Sequence, residues 1–246
     1  MKAMIFAAGL GTRLKPLTDC CPKALVPIGG KPMLEHLILK LKSAGFDYLV
    51  INIHHFGEQI VDFLVEHENF GLRISVSDER GELLDTGGGI KKAIPLLEGP
   101  EPVLVHNVDI VSDVDLAAFY RSHAASGADA SLLVSERVTS RYLLFDDICR
   151  LKGWQNRSTG EVKSCFPDFR PELYRPFAFG GVHVISPSVF RAMDKWNGKF
   201  SIIDFYLSLA GKADITACLC PGMKWMDIGK SETLKEAEKW MYEKDR

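Results

Sequence analysis

Lys2-Ala3-Met4-Ile5-Phe6-Ala7-Ala8-Gly9-Leu10-Gly11-Thr12-Arg13 is the stretch that decides the fold. A short apolar run passes directly into a glycine-rich basic loop, so residues 2–8 read as a buried strand and not as a secretory leader. The loop, rich in Gly, Pro and Thr, continues to Gly30. Pro32 suits the first turn of a helix that runs to about residue 44, with Leu34, Leu37, Ile38 and Leu41 on one face and Gly45 ending it. A strand is expected at 48–53, a helix at 57–66, a strand at 72–76, a helix opened by glycines at 87–97 and a strand at 103–108, followed by Asp109. Asp113 or Asp115 caps a helix reaching residue 125. Strands separated by helices of this length make βαβ units, hence an α/β fold with a doubly wound, mostly parallel sheet. Ligands in such sheets bind at the carboxyl ends of strands, which puts the loop after the first strand and Asp109 on one functional edge.

The second half is less regular. Strands are expected at 131–137, 142–145, 177–185 and 215–219, and helices at 187–195 (capped by Ser186), 202–210 and 231–244 (capped by Ser231). Residues 148–159 and 162–176 read as irregular and polar. No Pro/Gly/Ser linker divides the chain, so residues 1–246 are expected to form one domain, with 1–128 as a nucleotide-binding half and 129–246 as a sugar-phosphate-binding half. With 246 residues, 46% of them hydrophobic and 25% charged, the composition is that of an ordinary globular protein. The net charge of -2 and the absence of charge blocks give no footprint for nucleic acid or a membrane surface. The six cysteines have no zinc spacing and fit free thiols in a reducing cytoplasm.

Ala7 to Arg13, followed by Pro22-Lys23, carries the densest chemical signal. It is not a Walker A loop, and Leu14 stands where the dinucleotide-binding fingerprint needs a third glycine or alanine. Its physics is still that of a phosphate cradle: backbone N–H groups approach an anion, Arg13 offers a bidentate fork and Lys23 a point charge. A solvated surface turn is the alternative reading. Asp109, at the carboxyl end of a strand, is placed to bind Mg²⁺, or else to cap the next helix. Asp227, before Ile228-Gly229, is either a second acid or a turn former. Asp85-Thr86-Gly87-Gly88-Gly89 opens a helix, which allows close approach of a ligand or simply a tight connection.

Taken together, Ala7-Ala8-Gly9-Leu10-Gly11-Thr12-Arg13-Leu14-Lys15-Pro16-Leu17-Thr18, Pro22-Lys23-Ala24-Leu25-Val26-Pro27-Ile28-Gly29-Gly30-Lys31-Pro32-Met33, the Asp85–Gly89 run and Trp225-Met226-Asp227-Ile228-Gly229 resemble the sugar-phosphate nucleotidyltransferases, over nearly the whole chain. With Phe177-Ala178-Phe179-Gly180-Gly181-Val182 and no C-terminal extension, the chain looks most like the N-acetylmuramate-1-phosphate uridylyltransferases of cell-wall recycling. The resemblance implies that Ala7, Ala8, Gly9, Leu10, Gly11 and Thr12 hold base and phosphates, helped by Thr86, Gly87, Gly88 and Asn107. Arg13 would grip the leaving pyrophosphate and Lys23 would bridge the reacting phosphates, both as catalytic groups alongside Asp109 and Asp227, which would hold Mg²⁺. Glu82 or Arg80 would read the base edge, and Gly180 would line the sugar pocket. The substrates implied are a nucleoside triphosphate (UTP) and a sugar 1-phosphate (N-acetylmuramate 1-phosphate), for an enzyme working as a monomer or dimer. Val108 departs from the family pattern, which has glycine before the acid.

The expected chemistry is electrostatic. An anionic sugar-phosphate oxygen attacks the α-phosphorus, and pyrophosphate leaves, so cations matter more than a base. Mannose-1-phosphate guanylyltransferases, glucose-1-phosphate nucleotidyltransferases and phosphocholine cytidylyltransferases share the loop and are alternatives for the substrate. A glycosyltransferase using Asp113-Val114-Asp115 and a nucleotide-binding regulator without turnover are the alternatives of other kinds.

Overall fold

The computed structural model describes residues 1–229 and 231–244. In chain order the strands are β1 (Lys2–Phe6), β2 (Pro27–Ile28), β3 (Lys31–Pro32), β4 (Tyr48–Ile53), β5 (Arg73–Asp78), β6 (Val103–Asn107), β7 (Ile110–Ser112), β8 (Ala130–Ser135), β9 (Arg141–Phe145), β10 (Leu151–Asn156), β11 (Glu161–Lys163), β12 (Arg175–Ile185), β13 (Ile215–Leu219) and β14 (Trp225–Asp227). The helices are α1 (Met33–Ser43), α2 (Gly57–Glu66), α3 (Asp85–Leu97), α4 (Leu116–Ser126), α5 (Pro187–Ala192), α6 (Ile202–Leu209) and α7 (Ser231–Lys244). The Ser231 side chain, expected as the cap of α7, lies outside the described residues.

One mixed sheet organises the chain. Its first half is parallel, in the order β5-β4-β1-β6. The chain therefore turns one way from β1 to β4 and the other way to β6, which makes the β1/β6 boundary the switch point where a crevice opens. β12 then runs antiparallel to β6, β8 and β9, and β13 pairs with β8 in parallel. Alternation in the strands builds two cores, one on each face. Ala3, Ile5, Leu49, Ile51 and Leu104 pack with the buried faces of α1, α2 and α4, whereas Met4, Val50, Val103 and Val105 pack with those of α3, α5 and α6. A strand buried on both faces reads as a continuous apolar run, which is why β1, β4 and β6 are plain in the sequence.

Two differences from the sequence reading have clear causes. Residues 148–159 are not irregular: they contain β10, which with β11 forms an antiparallel hairpin on β9, whereas the stretch between β11 and β12 is irregular as expected, apart from a 3₁₀ turn at Pro171–Leu173. Such strands are exposed on one side, so their apolar content is low and their alternation weak. Ser186 does not cap α5. Its hydroxyl donates to the Ala128 carbonyl at 2.8 Å and meets His123 Nε2 at 3.0 Å.

A small second sheet matters for the site. β14 pairs antiparallel with β7, setting Asp227 opposite Ile110. The Ile228 N–H also donates to the Asp109 carbonyl at 2.9 Å. Two acids far apart in sequence are thus pinned side by side at the switch point.

Candidate active site

The crevice is a cavity of about 350 Å³. Its floor comes from the carboxyl ends of three aligned strands, since Phe6 of β1 is in register with both Asn52 of β4 and Asn107 of β6. Ala7, Ala8, Gly9, Lys23, Asn52, Glu79, Leu83, Asp85, Thr86, Asn107, Val108, Asp109 and Lys199 complete the lining.

The loop after β1 is held from inside. Leu14 is fully buried and its N–H donates to the Gly11 carbonyl at 2.8 Å. The Thr18 hydroxyl donates to the same carbonyl at 2.9 Å. Gly11 has φ of +65°, and a Cβ there would stand 2.8 Å from Thr18 Cγ2, so only glycine fits the turn. The N–H groups of Ala7 and Ala8 are not available to a ligand: both donate to Asn52 Oδ1, at 2.7 and 3.3 Å. Asn52 Nδ2 in turn donates to Glu79 Oε1 at 2.7 Å. The N–H groups of Gly9, Leu10 and Gly11 meet no acceptor among the described residues, and they form the part of the loop open to an anion.

The four charged residues singled out in the sequence converge. Lys23, carried on a short turn after the loop, makes an ion pair with Asp109, and both side chains are largely buried. Arg13 Nη2 lies 3.8 Å from Asp227 Oδ2 at a more exposed position. Gly229 shows how close the two pairs are. A Cβ on it would lie 2.6 Å from Arg13 Nη2, 2.8 Å from Asp227 Oδ1 and 3.1 Å from Lys23 Nζ. The Gly229 N–H donates to Asp227 Oδ1 at 2.8 Å, which fixes that carboxylate. Two acids and two cations therefore surround one small space, the charge pattern that polyphosphate chemistry needs.

The donor set suits a hard divalent cation. Asp109 and Asp227 present carboxylate oxygens from adjacent strand ends, and each has lone pairs beyond those used by Lys23, Arg13 and Gly229. Mg²⁺ is usually held by one or two carboxylates plus water and substrate phosphates, not by an all-protein cage. Among the described residues no group of three or more His, Cys, Asp or Glu side chains could hold a metal.

Other expected site residues fall elsewhere. Gly87 and Gly88 do not reach the cavity. A Cβ on Gly87 would be 2.3 Å from the Phe200 ring, and one on Gly88 would be 2.5 Å from the Gly198 carbonyl. Both N–H groups donate to the Phe200 carbonyl, so these glycines exist for close packing of α3 on the segment before α6. Thr86 lines the cavity, but its hydroxyl accepts from the Ile202 N–H at 3.0 Å and caps α6. Glu82 is exposed in the turn after β5, and Arg80 is occupied by Glu58 and Asp78. Neither lines the cavity, whereas Glu79 and Leu83 do, on either side of a turn closed by the Glu82 N–H donating to the Glu79 carbonyl at 3.0 Å. Leu10 and Thr12 are exposed on the rim. Gly180 lies outside this cavity, beneath Trp225, whose Nε1 donates to its carbonyl at 2.7 Å.

The D-x-D string is structural. Asp115 Oδ1 accepts from the Ala118 N–H at 2.8 Å and caps α4, while Asp113 Oδ1 accepts from the Lys224 N–H at 2.9 Å and ties β7 to the approach of β14. Val108 is accommodated: its side chain is buried in the same core as Ile110 and Ile228, and its N–H donates to the Phe6 carbonyl at 3.1 Å. The sequence reading missed Asn52, Glu79, Leu83 and Lys199. Asn52 left one signal, a lone polar residue inside the apolar run Leu49-Val50-Ile51-Asn52-Ile53.

A sheet crevice with paired acids and cations defines an enzyme that handles phosphate groups. The family model for nucleotidyl transferase matches residues 2–142, and the chain belongs to that family. It is 34% identical over 251 residues to N-acetylmuramate alpha-1-phosphate uridylyltransferase of Caulobacter vibrioides, covering 96% of this chain and 95% of the relative. It is 33% identical over 246 residues to the enzyme of that name from Neisseria meningitidis serogroup B, with 97% of both chains covered. Mannose-1-phosphate guanylyltransferase 1 of Arabidopsis thaliana is also 33% identical, over 94% of this chain and 62% of its own length. Among solved structures, UDP-glucose pyrophosphorylase complexed with UDP-glucose superposes with a TM-score of 0.78 at 19% identity, over 99% of this chain and 98% of that one, and shows the shared fold.

Proposed function

We propose that this enzyme joins UTP and N-acetylmuramate 1-phosphate to give UDP-N-acetylmuramate and pyrophosphate. The convergence of Arg13, Lys23, Asp109 and Asp227 around Gly229 carries the reaction class. The base and the sugar rest on the two uridylyltransferases, whose similarity runs over nearly all of both chains.

The reaction needs no protein base. The sugar-phosphate oxygen is already ionised, so it attacks the α-phosphorus, a P–O bond forms, and the bond to the β-phosphate oxygen breaks as pyrophosphate leaves. The obstacle is the approach of two polyanions. Lys23 would bridge the reacting phosphates, and Arg13, nearer solvent, would hold the departing pyrophosphate with its fork. The open N–H groups of Gly9, Leu10 and Gly11 would seat the triphosphate. Asp109 and Asp227 would hold Mg²⁺, which neutralises phosphate charge when bound. Asn107, Thr86, Leu83 and Glu79 would border base and ribose. Residues 1–128 would serve the nucleotide and 129–246 the sugar phosphate, in a monomer or dimer. No helix among the described residues is long and apolar enough to cross a membrane. UTP and the free thiols at all six cysteines suit a cytoplasmic place in cell-wall recycling.

The test is pyrophosphate release with Mg²⁺, across UTP, GTP, CTP and dTTP against a panel of sugar 1-phosphates and phosphocholine. Release that needs both UTP and N-acetylmuramate 1-phosphate is the expected result. Release with another pair would keep the mechanism and replace the substrates. A folded, nucleotide-binding protein with no turnover on any pair would overturn the reading.

A further inference from the structure

Arg137, two residues past the end of β8, has no part in the chemistry derived above. Its guanidinium carbon sits 4.1 Å from the centre of the Trp225 ring, a stacked cation–π arrangement. Trp225 is itself fixed by its bond to the Gly180 carbonyl. Arg137 Nη2 donates to the neighbouring Phe179 carbonyl at 3.2 Å, and its Nε is buried without any partner. A guanidinium has five N–H donors. Among the described residues this one spends a single donor on a neutral carbonyl and enters no ion pair. Burial lowers the Arg137 pKa, and the charge of Asp227 opposes that shift, so the side chain stands within the field of the reaction centre.

The position is informative. Trp225 and Asp227 are two apart on β14 and share one face, a separation of about 6–7 Å. Arg137, stacked on Trp225, is therefore about one sugar ring away from the carboxylate beside which the sugar phosphate must react. Arg137 and Trp225 both bond to carbonyls of the β12 segment at Phe179–Gly181, where the register with β8 breaks and Gly181 takes φ of +70°. A half-buried guanidinium with unspent donors at that distance calls for an anion that the protein does not supply. N-acetylmuramate differs from neutral amino sugars by one such anion, the carboxylate of its lactyl ether.

We propose that Arg137, held by Trp225 and the Phe179 carbonyl, is a specificity-determining residue that pairs with a carboxylate on the sugar ring of the sugar 1-phosphate. This rests on the N-acetylmuramate reading of the substrate. Arg suits the role better than Lys because its planar fork meets a carboxylate with two bonds.

The experiment measures kcat/KM of the wild type, Arg137→Met and Arg137→Lys with N-acetylmuramate 1-phosphate and with N-acetylglucosamine 1-phosphate, which lacks the lactyl group. Arg137→Met should lose about 10- to 100-fold on the carboxylated sugar and less than about 3-fold on the neutral one, as expected for one charged hydrogen-bonded pair. Arg137→Lys should fall between. Equal losses on both sugars would overturn the proposal and make Arg137 a support for Trp225, and so would no loss on either. Should Arg137→Met fail to fold by circular dichroism, the two-substrate ratio of Arg137→Lys decides in the same way. A wild type that prefers the neutral sugar would overturn the substrate reading itself, before any variant is compared.

Discussion

Replacing Asn52 with alanine tests whether the loop after β1 is held as described. Asn52 is only 2% exposed, and its amide does three things at once. Oδ1 accepts from the Ala7 N–H at 2.7 Å and the Ala8 N–H at 3.3 Å, and Nδ2 donates to Glu79 Oε1 at 2.7 Å. The change leaves two buried donors and one buried carboxylate oxygen short of a partner. An orphaned buried polar group costs about 1–3 kcal/mol, and the long bond to Ala8 belongs at the low end. Asn52 also lines the cavity, so water can enter the vacated space and recover part of the loss. The expected destabilisation is about 2–4 kcal/mol, read as a lower urea midpoint at unchanged slope. Asn52→Asp keeps the acceptor for the loop but sets a second carboxylate against Glu79, and it should be destabilised at neutral pH. Adding Glu79→Gln restores a donor–acceptor pair in the reverse sense and should recover most of that loss. A midpoint for Asn52→Ala within about 0.5 kcal/mol of wild type would refute the reasoning, as would a double variant no better than Asn52→Asp.

Four further outcomes are expected. Arg13→Ala, Lys23→Ala, Asp109→Ala and Asp227→Ala should each fold and slow pyrophosphate release by about 10³-fold, and near-wild-type rates in any two would dissolve the site. Chelation with EDTA should stop turnover and Mg²⁺ should restore it, checked with the same release assay. Gly87→Ala should cost about 1–3 kcal/mol in thermal melts, because its Cβ would stand 2.3 Å from the Phe200 ring. Stability should fall steeply in acid. Burial holds the pKa values of His106 and His183 down at about 3, from an ordinary value of 6.5. The unfolded chain therefore takes up protons below the ordinary value while the folded one does not, and stability is lost as pH falls through that window. At about 1.4 kcal/mol per pH unit for each histidine, a urea midpoint that stays flat between about pH 6 and 4.5 would contradict this.

Much of the first half was legible because a strand buried on both faces and a helix with one apolar stripe write their period into consecutive residues. The strand at Tyr48–Ile53 and the helix at Gly57–Glu66 have the bounds that periodicity alone suggests. The sequence also singled out Arg13, Lys23, Asp109 and Asp227, which the fold brings together. What a side chain faces is another matter. Gly87 and Gly88 meet Phe200 and Gly198, and Glu79 turns inward where Glu82 turns out, because segments distant in sequence arrive there to decide it. The β7–β14 pair that sets Asp227 beside Asp109, and the stacking of Arg137 on Trp225, are contacts across the chain. Local periodicity records that a residue is buried, and only the tertiary structure determines against what.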